Sequence, residues 1–247
     1  MHRGRSPLVL PSFPPGVNRA ALLDWDGTLR EGFTIFAWAD RLAEKRLLTP
    51  GAVGELRELR EAYEAGALPH NELAARTARV LAAALRGGST EPVERTARSF
   101  VDADLRLLFP WTRTLLQELG RRHVATIVIS GAPIEVLRAY AERLELSAVY
   151  GLRFEVRAGR YSGELLDNPG VEDEKLKVVE AVRAHFGDRI VLAVGNSESD
   201  RPLFRASPLS GVVNNPGLVR GSGMFELSAA TSIPDLLARA DRPDGGR

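Results

Sequence analysis

The feature that most constrains this sequence is a helix-only stretch set between strand-like runs. From 33 to 108, helix formers dominate and apolar residues recur with three-to-four spacing, as at Leu56, Leu59 and Tyr63 and at Leu81 and Leu85, in a stretch that also carries Phe36, Leu42, Leu47, Leu73 and Val80. Breaks at Thr49-Pro50-Gly51, at 66–69 and at Gly87-Gly88 divide it into four helices with no strand among them. Outside this stretch the pattern changes. Arg19-Ala20-Ala21-Leu22-Leu23 is a short apolar run that leads into Asp24-Trp25-Asp26-Gly27-Thr28. After Pro110, helix and strand alternate: a helix through Leu115, Leu116 and Leu119, a strand at 124–129, and a helix from Pro133 to about Leu144. A hairpin is predicted around Ala158-Gly159, then a helix over 173–186 and a strand over 190–194. A last strand near 211–213 and a helix around 234–240 follow.

Apolar strands alternating with helices imply an α/β fold with a parallel sheet covered on both faces. The 247 residues suffice for one core domain carrying a smaller insert. The expected division is a core of 19–32 and 109–240, a helical insert of 33–108, and flexible tails at 1–18 and 241–247. In such sheets ligands bind at the carboxyl ends of the strands. The polar residues that end the apolar runs are therefore the candidates for function: Asp24 and Asp26, Ser130 and Gly131, and the segment 195–200.

Composition narrows the chemistry. The chain has no cysteine, so thiolate metal sites and cysteine nucleophiles are excluded. Its four histidines (His2, His70, His123, His185) are scattered without ligand spacing, which argues against zinc. A net charge of +1 gives no field that would steer the protein toward nucleic acid or a membrane. No apolar run approaches a membrane span, and the basic N-terminus breaks at Pro11, Pro14 and Pro15 before a signal peptide could form. A cytoplasmic location is the expectation, and the sequence sets no oligomeric state.

Two carboxylates two residues apart after a buried strand repel each other and lose solvation. A Mg²⁺ ion between them removes that cost, since it prefers oxygen ligands. Gly27 lets the backbone approach a phosphate, and the amides around Thr28 can form an anion nest. Ser130-Gly131 offers a hydroxyl and further amides, and Gly195-Asn196-Ser197-Glu198-Ser199-Asp200 offers more oxygen ligands. Lysine occurs only at 45, 175 and 177 among 33 basic residues, which singles out Lys175 and Lys177 as places where a compact point charge matters.

Taken in order, Asp24-Trp25-Asp26-Gly27-Thr28-Leu29, Thr126-Ile127-Val128-Ile129-Ser130, Lys175 and the 195–200 segment resemble the four motifs of haloacid-dehalogenase-type hydrolases. The helical insert is similar to the cap of the phosphoserine-phosphatase-like branch, as is Asn214-Asn215-Pro216 near the end. The resemblance implies a Rossmann-like core and a phosphatase acting on a small phosphorylated metabolite. Asp24 would be the nucleophile and Asp26 the general acid and base. Gly27, Thr28, Ser130, Gly131 and Lys175 would hold the phosphoryl group. Mg²⁺ would bind Asp24, the backbone carbonyl of Asp26 and the fourth motif, through Asn196 or Asp200. Lys175 is preferred to Lys177 because Val178 and Val179 follow it at the family's spacing. Dehalogenases of the superfamily lack an acid at the position of Asp26, so its presence favours ester cleavage.

Two residues depart from the pattern. Asn196 stands where the family has aspartate, so the metal loses one negative ligand. Phe33 stands where phosphoserine-specific members have a glutamate for the substrate's ammonium, so phosphoserine is not the expected substrate. Arg30, Glu31, Phe33 and Arg76 are the expected substrate contacts. A nucleophile elbow at Ser197 is excluded, because every histidine precedes it and the final glycine is missing. The remaining alternative is a weakly catalytic relative that binds a phosphorylated ligand, with Asn196 as the lesion.

Overall fold

A computed structural model describes residues 10–49 and 51–241. Seven strands form one sheet in the order β4-β3-β2-β1-β5-β6-β7. They are β1 (Arg19–Leu23), β2 (Val124–Pro133), β3 (Ala148–Arg157), β4 (Arg160–Asp167), β5 (Ile190–Gly195), β6 (Ser210–Val213) and β7 (Met224–Leu227). All neighbours run parallel except β3 and β4, which form the expected hairpin. Its two turn residues, Ala158 and Gly159, both have positive φ, the conformation a two-residue hairpin turn requires.

β1 lies at the centre of the sheet because every side chain from Ala20 to Leu23 is buried, which suits a strand covered on both faces. Ala21 and Leu23 join one core cluster with Val128 and Val194; Ala20 and Leu22 join the other with Ile127, Ile129 and Ala193. The second cluster is completed by α7 (Glu172–Phe186) through Val178, Val179, Val182 and Phe186. α5 (Thr112–Arg121), α6 (Ile134–Leu144) and α9 (Ile233–Ala240) cover the first. Among the described residues no helix is long and apolar enough to cross a membrane.

Between β1 and β2 come α1 (Thr34–Glu44), α2 (Ala52–Glu64), α3 (His70–Leu85) and α4 (Thr90–Asp104). Their apolar sides, including Trp38, Leu42, Leu81 and Phe100, belong to the same cluster as Leu23 and Val128. The outer strand of the hairpin does not end in solvent. Gly87 N donates to Tyr161 O at 2.8 Å and Tyr161 N to Gly88 O at 2.9 Å, so the α3–α4 loop closes the sheet's edge.

The two chain crossings between the helical insert and the sheet are tied together. Glu31 N donates to Leu107 O and Phe109 N to Leu29 O. Arg30, 2% exposed, forks onto Asp104 at the end of α4, with Nε–Oδ2 at 2.7 Å and Nη2–Oδ1 at 2.8 Å. Tyr140 of α6 also donates to Asp104. Burial and the Asp104 charge push the Tyr140 hydroxyl well above its ordinary range, so it remains a donor at physiological pH.

Three expectations are corrected. The segment 1–18 is not a tail throughout: 1–9 lie outside the described residues, but Leu10, Phe13 and Val17 pack on the second cluster, with Phe13 edge-on to Phe186. Asp241, placed in the C-terminal tail, receives Arg19 and Arg122, while 242–247 lie outside the described residues. β6 is not the last strand, since β7 and the short α8 (Arg201–Arg205) were not read. Each spans only four or five residues, too few for a periodicity to show.

Candidate active site

Strand register assembles the site. Leu23 sits opposite Val128 on one side and Val194 on the other, so the residues just past β1 and β5 reach one rim together with the irregular end of β2, from Ser130 on. Asp24 continues the pairing through its amide, which donates to Val194 O at 2.9 Å. Its Oδ1 accepts from Lys175 Nζ at 3.0 Å and its Oδ2 from Thr28 Oγ1 at 3.0 Å. The same ammonium donates to Asp200 Oδ1 at 2.6 Å.

Asp24, Lys175 and Asp200 are 6%, 2% and 0% exposed, so this triad holds two anions and one cation out of water. Burial and the Asp200 charge raise the Asp24 carboxyl above its usual range, against the pull of Lys175. For Lys175, burial alone would lower the pKa; the carboxylates of Asp200 and Asp24 outweigh it and keep the ammonium charged. The remaining Asp200 oxygen, Oδ2, accepts from the amides of Asn196 and Ser197, both at 2.9 Å, and from Ser197 Oγ at 3.1 Å. Asp200 thus ties the loop after β5 into a capping box. Gly195 is required there, because a Cβ would stand 2.6 Å from that of Asp200.

Asp26 is held by the first turn of the insert. Its Oδ1 accepts from Thr34 N at 3.0 Å and Thr34 Oγ1 at 2.5 Å, and Arg30 Nη1 lies 4.0 Å away. Burial raises its pKa to about 6, with Arg30 and Thr34 pulling the other way. On the far side of Asp24, Ser130 Oγ accepts from Ala132 N at 3.2 Å. A Cβ on Gly131 would come within 2.9 Å of Gly170 Cα, so two backbones meet here. Asn168 fixes that second loop: its Oδ1 accepts from Gly170 N at 3.1 Å, and its Nδ2 donates to Ala74 O of α3 at 2.9 Å.

These groups open into a cavity of about 460 Å³ between the strand ends and α1 to α3. Asp24, Asp26, Ser130, Gly131, Lys175 and Asn196 line its floor. The sequence profile of the haloacid dehalogenase-like hydrolases matches residues 21–205, a span that contains all four motifs. The chain belongs to that family. No curated protein matches it. Among solved structures, it resembles a Bordetella pertussis Tohama I protein of unknown function, with 24% identity over 86% of this chain and 100% of that one, at a TM-score of 0.68. It also resembles a phosphoserine phosphatase solved as a phospho-aspartyl intermediate analogue, with 18% identity over 90% of this chain and 98% of that one, at 0.62. A phosphoserine phosphatase from T. onnurineus matches with 20% identity over 94% and 99% of the two chains, at 0.54. At these identities the likeness is one of fold.

Within the family's motif positions, the structure separates residues that face the cavity from those behind it. Thr28, expected to hold phosphate, is fully buried and spends its hydroxyl on Asp24. Gly27 does not line the cavity either; it is pressed against Asn196, whose Nδ2 would be 2.2 Å from a Cβ there. Asp200 lies behind Lys175, outside the lining. Of the expected substrate contacts only Phe33 lines the cavity. Arg30 is taken by Asp104, Glu31 is exposed beside the crossing, and Arg76 points outward toward Glu72 at 3.5 Å.

Sequence reasoning missed Thr34, Asn168, Gly170, His70 and Asn71. Only Thr34 carried a signal, as the hydroxyl at the start of a helix close after the Asp pair. The others reach the site by long-range packing. His70, at the start of α3, lines the cavity, and burial with the Lys175 charge lowers its pKa, keeping it neutral.

Proposed function

We propose that this chain is a Mg²⁺-dependent phosphatase that cleaves a small phosphomonoester through an aspartyl-phosphate on Asp24, with α1–α4 acting as its cap. The observation that carries this reading is the pairing of Asp24 and Asp26 in one cavity. Asp24 is gripped by Lys175 and Thr28, while Asp26 is fixed through one oxygen only, which leaves the other for proton transfer. The family membership and the likeness in fold to phosphoserine phosphatases support it.

An Asp24 oxygen attacks phosphorus, and the bond from phosphorus to the ester oxygen breaks. Asp26 gives its proton to the departing alkoxide. Asp26 then takes a proton from water as the water oxygen attacks the aspartyl-phosphate, which releases inorganic phosphate and restores the Asp24 carboxylate. The Lys175 ammonium, the Ser130 hydroxyl and the Gly131 amide offset the charge on the phosphoryl oxygens. Thr34 keeps Asp26 aimed, and Asp200 keeps Lys175 in place.

The donor set fits Mg²⁺: Asp24 carboxylate, the Asp26 carbonyl and the Asn196 amide oxygen are all hard ligands. When bound, it would neutralise phosphoryl charge beside Lys175. Asp200 is not counted as a ligand, because its oxygens are already engaged by Lys175 and the loop amides.

Phosphate release from a generic aryl phosphate, with and without Mg²⁺, tests the proposal. Turnover that requires the metal supports it; no turnover with saturating Mg²⁺ would instead favour a ligand-binding relative. The metal assignment has its own test. Asn196→Asp adds a negative charge at a side chain facing the cavity, so it is expected to lower the Mg²⁺ concentration for half-maximal activity several-fold. The half-maximal Mg²⁺ effect on thermal unfolding is expected to move in parallel. An unchanged midpoint in both titrations removes Asn196 from the ligand set.

A further inference from the structure

The cavity has two chemically different ends, and the difference bears on what leaves with the ester oxygen. Resting on the phosphatase reading, we propose that the substrates are phosphate monoesters of an uncharged, largely apolar alcohol, with its ring or chain held under the cap. The floor carries all the carboxyl groups of the described lining, those of Asp24, Asp26, Glu172 and Glu198, and its one lysine or arginine, Lys175. Lys175 is already shared between Asp24 and Asp200, at 3.0 and 2.6 Å. No lysine or arginine of the lining is left over for a carboxylate or second phosphate on the leaving group, and the carboxylates of Glu172 and Glu198, which the chemistry does not use, would repel one.

The roof carries no charged side chain. Its lining residues between 33 and 77 are apolar, aromatic or neutral polar. Phe33 sits at the middle of an aromatic arc, edge-on to Phe36 at 5.9 Å and to Tyr63 at 5.6 Å, and Tyr63 continues edge-on to His70 at 6.0 Å. Ile35, Pro69 and Leu73 line the same cavity. An ammonium there would lose water and find no carboxylate on the cap. Arg60 lies over the Phe36 ring at 5.8 Å but pairs with Glu64 at 2.7 Å and is not part of the lining. The neutral polar groups at this end, His70 and Asn71, suit a hydroxyl or carbonyl on an otherwise apolar body. About 460 Å³ accommodates a phosphoryl group and a ring-sized leaving group together.

The test compares esters whose alcohols ionise similarly, so that leaving-group chemistry does not decide the outcome. With the full chain and Mg²⁺, kcat/KM is measured for benzyl phosphate, phosphoserine, phosphoglycolate and phosphoethanolamine. Benzyl phosphate is expected to exceed each of the other three by roughly 10- to 100-fold, the range that apolar pocket contacts supply. In Phe33→Arg, which puts a cation on the roof, the ratio of benzyl phosphate to phosphoglycolate is expected to fall at least about 10-fold. Should that variant not fold, Tyr63→Ala at a half-buried site serves instead, with KM for benzyl phosphate expected to rise about 10-fold. A charged ester turned over faster than benzyl phosphate overturns this inference and leaves the phosphatase reading standing. Hydrolysis of no monoester at all overturns both.

Discussion

Replacing Asp24 with Asn is expected to lower kcat by about 10⁴-fold or more while leaving the fold intact. The amide keeps the size of the side chain and can still accept from Lys175, but it is no nucleophile. The buried triad would then hold one anion and one cation in place of two anions and one cation. Since burial and Asp200 already disfavour the Asp24 charge, losing it relieves strain in the folded state. The variant's melting temperature is therefore expected to equal or exceed that of the native chain, the usual exchange between activity and stability at a functional cluster. Turnover of an aryl phosphate, measured beside thermal unfolding, checks both halves. Near-native kcat would end the aspartyl-phosphate reading; a sharply lower melting temperature would show Asp24 to be a structural residue.

The largest stability effect is expected at Asp104, which lies outside the cavity lining and behind Arg30. Asp104 is 6% exposed and receives Arg30 through two hydrogen bonds as well as the Tyr140 hydroxyl. Asp104→Ala leaves a buried guanidinium without its partner, which costs about 3–5 kcal/mol. Urea unfolding of the variant beside the native protein measures this. Removing only the Tyr140 hydroxyl, as Phe, is expected to cost closer to 1 kcal/mol, in line with a hydrogen bond to a retained ion pair. A loss for Asp104→Ala below about 1 kcal/mol would place the pair among solvent-screened ion pairs and contradict its burial. The same pair joins both crossings of the helical insert, so catalysis is expected to suffer along with stability.

Local pattern carried the α/β class and the end-of-strand candidates. A short apolar run bounded by polar residues and alternating with helices fits a strand covered on both faces, and a polar residue straight after such a strand falls on the rim. That logic marked Asp24, Asp26, Ser130 and the segment 195–200 as candidates, and the family resemblance then singled out Asn196. The unusual lysine usage added Lys175 and Lys177, because a chain rich in arginine leaves few places where a lysine has to be, and the family's spacing chose Lys175. Short-range turn chemistry likewise marked the Ala158-Gly159 hairpin.

Which of these residues face the cavity was decided only by tertiary structure. A sequence segment orders its residues but does not orient them. Thr28 and Asp200 sit inside recognisable motifs, yet both are turned behind the rim to hold Asp24 and Lys175. Arg30 lies between the motif and the insert and looks available, but its partner Asp104 is 74 residues away, at the other crossing of the insert. His70, Asn71 and Asn168 reach the site because α3 packs across the strand ends, and no local spacing records that packing. Composition fixes how many charges the chain carries. Long-range packing decides which of them meet in pairs, and with that the charged floor and uncharged roof of the cavity.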